Sequence, residues 1–177
     1  PELIGMDDKT YDDFNFGNDK KNDYKFYEYY LPEIIKKKKN LRNLKITAIF
    51  TEEINVSNLI TSLRKNKSIK NLHLKANGSN FADSYYLINN NNIEDLRILW
   101  HDFGKNELKF KYFCKNLIEN KSIKKLSLTC NIIHFNINNL LYLSKVLEKN
   151  SKILSLELNN NIGEHFFTNY ITLDNLL

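Results

Sequence analysis

The sequence predicts an α/β repeat fold of about five strand-plus-helix units, with parallel strands on one face and helices on the other. Two observations carry this expectation. A short apolar phrase recurs five times, nearly in phase, along the 177 residues. The segments between the phrases change to helical periodicity. Composition narrows the class further. A 42% hydrophobic content excludes a disordered tail. Two prolines and five glycines are too few for a β-sandwich with many tight turns.

The phrases are Leu41-x-x-Leu44-x-Ile46, Ile69-x-x-Leu72-x-Leu74, Ile93-x-x-Leu96-x-Ile98, Ile123-x-x-Leu126-x-Leu128 and Ile153-x-x-Leu156-x-Leu158, at intervals of 28, 24, 30 and 30 residues. Alternating apolar residues suit a half-buried strand, so strands are expected near 44–46, 72–74, 96–98, 126–128 and 156–158. Between them run helical stripes: Val56, Leu59, Ile60 and Leu63; then Phe110, Phe113, Leu117 and Ile118; then Ile137, Leu140, Leu141 and Leu147. These segments end in similar turns, Arg64-Lys-Asn66-Lys-Ser-Ile, Ile118-Glu-Asn120-Lys-Ser-Ile and Glu148-Lys-Asn150-Ser-Lys-Ile. The 24-residue interval leaves room for only a short helix around Phe81–Leu87, so an irregular unit is expected there.

Three residues past the last apolar position of a phrase stands Asn77, Asn131 or Asn161. With these residues the phrase resembles the leucine-rich repeat, L-x-x-L-x-L-x-x-N. The period, and the turn of Asn and Ser or Lys leading into an apolar strand, are similar to the ribonuclease-inhibitor-like subclass, which tropomodulin and the Ran GTPase-activating proteins share. The resemblance covers roughly residues 41–177. It implies a right-handed leucine-rich-repeat solenoid, a horseshoe arc with strands on the concave face and helices on the convex face. It also implies that Asn77, Asn131 and Asn161 form a structural ladder bonded to loop backbone. Ile49 and His101 depart from the pattern, since they occupy the Asn position of the first and third units.

Three regions are expected. Residues 1–22 are polar and Asp-rich, an arm or an irregular cap. Residues 23–40 form an N-terminal capping helix region, with Tyr24, Phe26, Tyr27, Tyr30, Leu31, Ile34 and Ile35 apolar and Pro32 interrupting it. Residues 41–177 hold the repeats. Near the end, Phe166, Phe167, Tyr170, Ile171 and Leu173 read as the start of a further helix.

Side chains alternate along a strand, so the residues between the apolar ones face outward in columns. The central column is Lys45, His73, Arg97, Ser127 and Glu157. Before it lies Asn43, Asn71, Asp95, Lys125 and Ser155. After it lies Thr47, Lys75, Leu99, Thr129 and Asn159, followed by Ala48, Ala76, Trp100, Cys130 and Asn160. The candidate partner-binding residues are Lys45, His73, Lys75, Asp95, Arg97, Leu99, Trp100, Lys125 and Glu157. Leu99 and Trp100, the single tryptophan, stand beside basic residues, and aromatic and Arg groups are frequent in binding hot spots. The competing reading folds Trp100 back into the irregular third unit.

The remaining residues point to structure rather than chemistry. No phosphate loop, nucleophile elbow or paired-acid constellation is present, so no catalytic residue and no cofactor are expected. Cys114 and Cys130 follow no metal or redox spacing; Cys114 belongs to an apolar helix face and Cys130 reads as a small packed residue. His134 and His165 have only Glu164 as a nearby acid, and Asp7, Asp8, Asp12 and Asp13 lack the spacing of a calcium loop, so no metal is expected. No apolar run is long enough to span a membrane. The net charge is +5 with a pI near 9.0. Lys36–Lys39 reads as a helix end favoured by the dipole. The columns mix basic residues with Asp95 and Glu157 and lack alternating aromatics, which argues against nucleic acid.

The Asn-rich bias looks like AT-rich coding, and the run Asn89–Asn92 reads as a compositional turn. Asn55, Asn66, Asn77 and Asn120 each begin a glycosylation triplet. The repeat buries several of them, which favours an intracellular home. The expected function is a non-catalytic protein–protein interaction scaffold. The resemblance also implies two alternatives. One is actin capping, since Lys121-Ser-Ile-Lys-Lys-Leu-Ser-Leu is similar to a tropomodulin strand phrase. The other is GTPase activation, for which no matching Arg–Asn pair maps onto the chain.

Overall fold

A computed structural model of the chain describes residues 12–15, 25–49, 56–77, 85–100, 106–130, 136–160 and 171–174. In chain order the elements are β1 (Asp12–Asn15), a π-helical turn (Phe26–Tyr30), α1 (Leu31–Lys37), β2 (Asn43–Ile49), α2 (Ser57–Lys65), β3 (Asn71–Asn77), β4 (Asp95–Trp100), α3 (Glu107–Glu119), β5 (Lys125–Cys130), α4 (Ile137–Lys149), β6 (Ser155–Asn160) and β7 (Ile171–Asp174). The seven strands among the described residues belong to one sheet, ordered as in the chain. β1 to β6 are parallel, and β7 closes the sheet antiparallel to β6.

The apolar phrases form the strands because alternation puts their residues on one face, where the helices cover them. Leu44, Ile46, Leu72, Leu74, Leu96, Ile98, Leu126, Leu128 and Leu156 are buried, and so are the helix residues Leu59, Ile60, Leu63, Phe110, Phe113 and Leu117. They form one continuous core. Each fully buried Leu, Ile or Phe contributes about 1.5–3 kcal/mol, so the repeated phrase is the main stabilising device.

A backbone pattern locks each strand start to the next. Arg42 O accepts from Lys70 N and Asn71 N at 2.8 and 3.0 Å. Lys70 O accepts from Glu94 N and Asp95 N, Glu94 O from Lys124 N and Lys125 N, and Lys124 O from Leu154 N and Ser155 N. One carbonyl thus serves two N–H groups at every step, including the step with the shortened interval.

Several elements differ from the sequence expectation. Within the expected polar arm, Asp12–Asn15 pairs with β2, with Asp12 opposite Leu44. An unpaired β2 edge would leave a row of N–H and C=O groups open, and this segment covers it. The expected helix at the other end is in part strand: Ile171 pairs with Leu158 and Leu173 with Leu156. The same edge requirement applies there, and Ile-Thr-Leu-Asp alternates as a strand does. Phe166, Phe167 and Tyr170 lie outside the described residues.

The capping region is helical and buries Tyr27, Leu31 and Ile35. Pro32 does not break it, because it falls in the first turn of α1. The preceding π-helical turn bonds Leu31 N to Phe26 O. Pro32 has no N–H for the carbonyl four residues back, and the Asn58 amide of α2 donates to that Glu28 carbonyl at 3.2 Å. Lys36 and Lys37 lie in the last turn of α1, and Lys36 pairs with Glu33 at 2.6 Å.

The expected α4 stripe is corrected as well. Ile137, Leu140 and Leu141 are exposed, and α4 instead buries Asn139, Leu143 and Val146. α4 packs on α3 with one side, and no further helix among the described residues covers the other. The short connection before β4 is tighter than the expected helix. Residues 85–89 form a 3-10 turn, and residues 81–84 lie outside the described set.

Candidate functional site

The expected columns are neighbours in the structure. Lys45 pairs with His73, His73 with Arg97, Arg97 with Ser127 and Ser127 with Glu157. The flanking columns align likewise, from Asn43 through Asn71, Asp95 and Lys125 to Ser155, and from Thr47 through Lys75, Leu99 and Thr129 to Asn159. None of these side chains is buried, whereas the alternating residues are buried or, at β6, largely covered. The sheet therefore has one helix-covered face and one open face.

The open face has internal order. Asp95 and Arg97, two residues apart on β4, form a two-point pair, with Nε to Oδ1 and Nη2 to Oδ2 both at 3.2 Å. The Asn71 amide donates to Asn43 Oδ1 across the strands. Leu99 is half-buried beside exposed Lys75 in the register. Just ahead of the strands, Glu94 bridges Lys124 at 2.7 Å and Lys70 at 3.2 Å. Hydrogen bonds from Lys124 and then Lys70 hold the Glu94 carboxyl below the usual carboxylate range. Exposure and solvent keep such pairs weak, at about 0–1 kcal/mol each.

Trp100 ends β4, and its side chain lies outside the described residues. Ala76 is its register partner, and Cys130 at the equivalent place on β5 is buried. Cys130, expected in the fourth outward column, thus lies on the covered side of the sheet. Cys114 is also buried, and desolvation pushes both thiols up to about 12. They are packed core groups, as expected. His101, His134, His165 and Glu164 lie outside the described residues. Among the described residues no group of His, Cys, Asp or Glu could hold a metal ion, and no helix is long and apolar enough to cross a membrane.

The expected asparagine ladder falls at the edge of the described residues. Asn77 ends β3 with its side chain outside them, and Asn131 and Asn161 lie beyond. The register pairs Ile49 with Asn77, consistent with their equivalence in the repeat. A second ladder is fully visible at the other end of the strands. Asn66, Asn90, Asn120 and Asn150 are all buried. Asn66 Nδ2 donates to Ile35 O at 2.7 Å, Asn90 Nδ2 to Leu63 O at 2.7 Å, Asn120 Nδ2 to Ile88 O at 2.8 Å and Asn150 Nδ2 to Leu117 O at 2.5 Å.

Their Oδ1 atoms accept from the turn that follows. Ser68, Asn92, Ser122 and Lys152 donate their backbone N–H groups, at 2.8–2.9 Å. Asn90 thus belongs to this ladder, and the run Asn89–Asn92 is more than a compositional turn. The signal was present as the shared Asn-containing turns, but Asn90 has no helix of ordinary length before it.

No protein-family model matches the chain, and no curated protein or solved structure is significantly similar to it.

Proposed function

We propose that the chain is a non-catalytic protein-interaction scaffold that binds a protein partner on the open face of its sheet. The architecture we assign to it is the right-handed leucine-rich-repeat solenoid, with the open face on the inside of the arc. The observation that carries this reading is the register, which aligns three outward columns across five parallel strands with no buried side chain among them. With strands about 4.8 Å apart and residues about 3.3 Å apart, the columns span roughly 19 by 13 Å.

Leu99 gives this area an apolar centre, with Lys75 beside it and the Asp95–Arg97 pair next along the strand. Such a centre with a polar rim is how interfaces concentrate their binding energy. The two cysteines support the non-catalytic reading, because a buried thiol held protonated is a poor nucleophile. An intracellular home is supported by Asn66 and Asn120. Both begin glycosylation triplets, and both side chains are buried and hydrogen-bonded.

Site-specific photocrosslinking in cells of the native source tests this reading. A crosslinker at Ser127 is expected to capture one protein species, lost on Leu99→Asp or Lys75→Glu. Equal capture from exposed position 145 on α4, or capture indifferent to both substitutions, rules the open face out.

A further inference from the structure

The shortened second interval contains no α-helix among the described residues. α2 packs on α1, and α3 packs on α4. Between α2 and α3 the chain passes through the 3-10 turn of residues 85–89. A groove of about 210 Å³ opens beside that turn, lined by Tyr85, Tyr86, Leu108, Lys109 and Tyr112. We propose that this groove is a second docking site, on the helix side of the protein, which takes one bulky apolar side chain from an acidic peptide segment.

The groove is apolar and open to solvent. Leu108, in the first turn of α3, is 79% exposed. One turn on, Tyr112 is exposed, and its ring meets that of Tyr86 edge to face at 5.4 Å. Tyr85 is buried beneath, against Phe113 at 5.9 Å, so the floor is held by the core. An apolar side chain laid between Leu108 and the two tyrosine edges would remove all three from water at once.

Charge selects the rest of the segment. The Arg64 guanidinium lies over the Tyr86 ring, 6.0 Å from its centroid. Lys115 follows Tyr112 on the same helical face and is exposed. None of the described residues that line the groove is acidic. Of the two acids of α3, Glu107 is turned to α4, where Asn138, Tyr142 and Asn136 donate to it, and Glu119 stands at the far end of the helix. Carboxylates beside the apolar side chain would therefore meet cations at close range over a weakly polar floor.

Isothermal titration calorimetry on the full chain tests the site. The probe is a blocked pentapeptide with a central phenylalanine between two pairs of acidic residues. Two controls replace the phenylalanine by alanine, or the acids by lysines. Binding is expected with Kd below about 1 mM, and each control should bind about tenfold or more weakly.

Leu108→Asp and Arg64→Glu should each weaken binding about tenfold while leaving the circular dichroism and Tm unchanged, since both side chains are exposed. Leu99→Asp on the open face should leave peptide binding unaltered. The proposal is overturned by no binding at millimolar peptide, by either control binding equally well, by indifference to both groove substitutions, or by an equal loss with Leu99→Asp.

Discussion

The side-chain amide of Asn90 donates to the backbone carbonyl of Asn66, 24 residues earlier, at 2.9 Å. Asn150 makes the same bond to Asn120 O across 30 residues, at 3.0 Å. The bond is thus made across a tight turn and across a full helix alike, and between them Ser122 Oγ donates to Asn90 O at 3.4 Å. Each member joins the carbonyls of one turn to the N–H groups of the next. A buried backbone group without a partner is costly, so these side chains are what allow the turns to be buried.

Removing one rung should therefore unfold the protein more easily. Asn120→Ala is expected to cost about 3 kcal/mol, because Ile88 O loses a donor and Ser122 N and Ile123 N lose their shared acceptor. Asn120→Asp should be at least as damaging, since it has no amide donor and buries a charge. Urea denaturation measures both. The exposed Asn91→Ala serves as the control and should stay within about 0.5 kcal/mol of the parent.

The helix caps make a smaller, separable contribution. Asn106 Oδ1 accepts from Lys109 N at 3.0 Å, and Asn136 Oδ1 accepts from Asn139 N at 3.0 Å. Both lie at the N-terminus of a 13-residue helix. Substitution of either by alanine should cost about 1 kcal/mol, and substitution by serine much less. If both alanine variants match the parent in denaturant titrations, these caps do not contribute.

Thiol chemistry should be silent in the folded state. Cys114 and Cys130 are pushed from 9.0 up to about 12 by burial. At pH 8 an aromatic disulfide reagent should react with neither, and with both once the protein is denatured. The sign for stability follows. The folded pKa values lie above the unfolded ones, so this contribution is complete below pH 9 and falls away as pH rises toward 12. Cys114→Ala should reduce the alkaline loss of stability; an unchanged pH profile in this variant contradicts the assignment.

Glycosylation should be incompatible with the fold. Asn66 and Asn120 begin Asn-Lys-Ser triplets, and their amides are committed to Ile35 O and Ile88 O. With an added secretion signal, chains that acquire a glycan at Asn120 should fail to fold and be retained. Secretion of folded protein glycosylated at Asn120 would remove the support these residues give to an intracellular home.

Much of the architecture is legible in the residues alone. Five apolar phrases at 24–30-residue spacing determine five parallel strands, and strand alternation then assigns three outward columns, Lys45 to Glu157 included. This works because both rules are local: a side chain's face on a strand depends only on its parity, and the repeat supplies the registration. The burial of Cys114 followed from its helical face in the same way.

Tertiary packing decided what local periodicity does not encode. Leu140 and Leu141 fit a helical stripe, yet α4 exposes them, and among the described residues a neighbouring helix packs on one side of it only. Ile171 and Leu173 suit a helix or a strand by composition, and the open edge of β6 selects the strand. Asn90 looked like one residue of a biased run until its amide met Leu63 O and Asn66 O.

The repeat was thus determined by sequence, because each unit carries its own pattern. The edges, the groove beside residues 85–89 and the ladder partners were decided only in three dimensions. Each depends on which groups from distant parts of the chain remain uncovered or unpaired once the units stack.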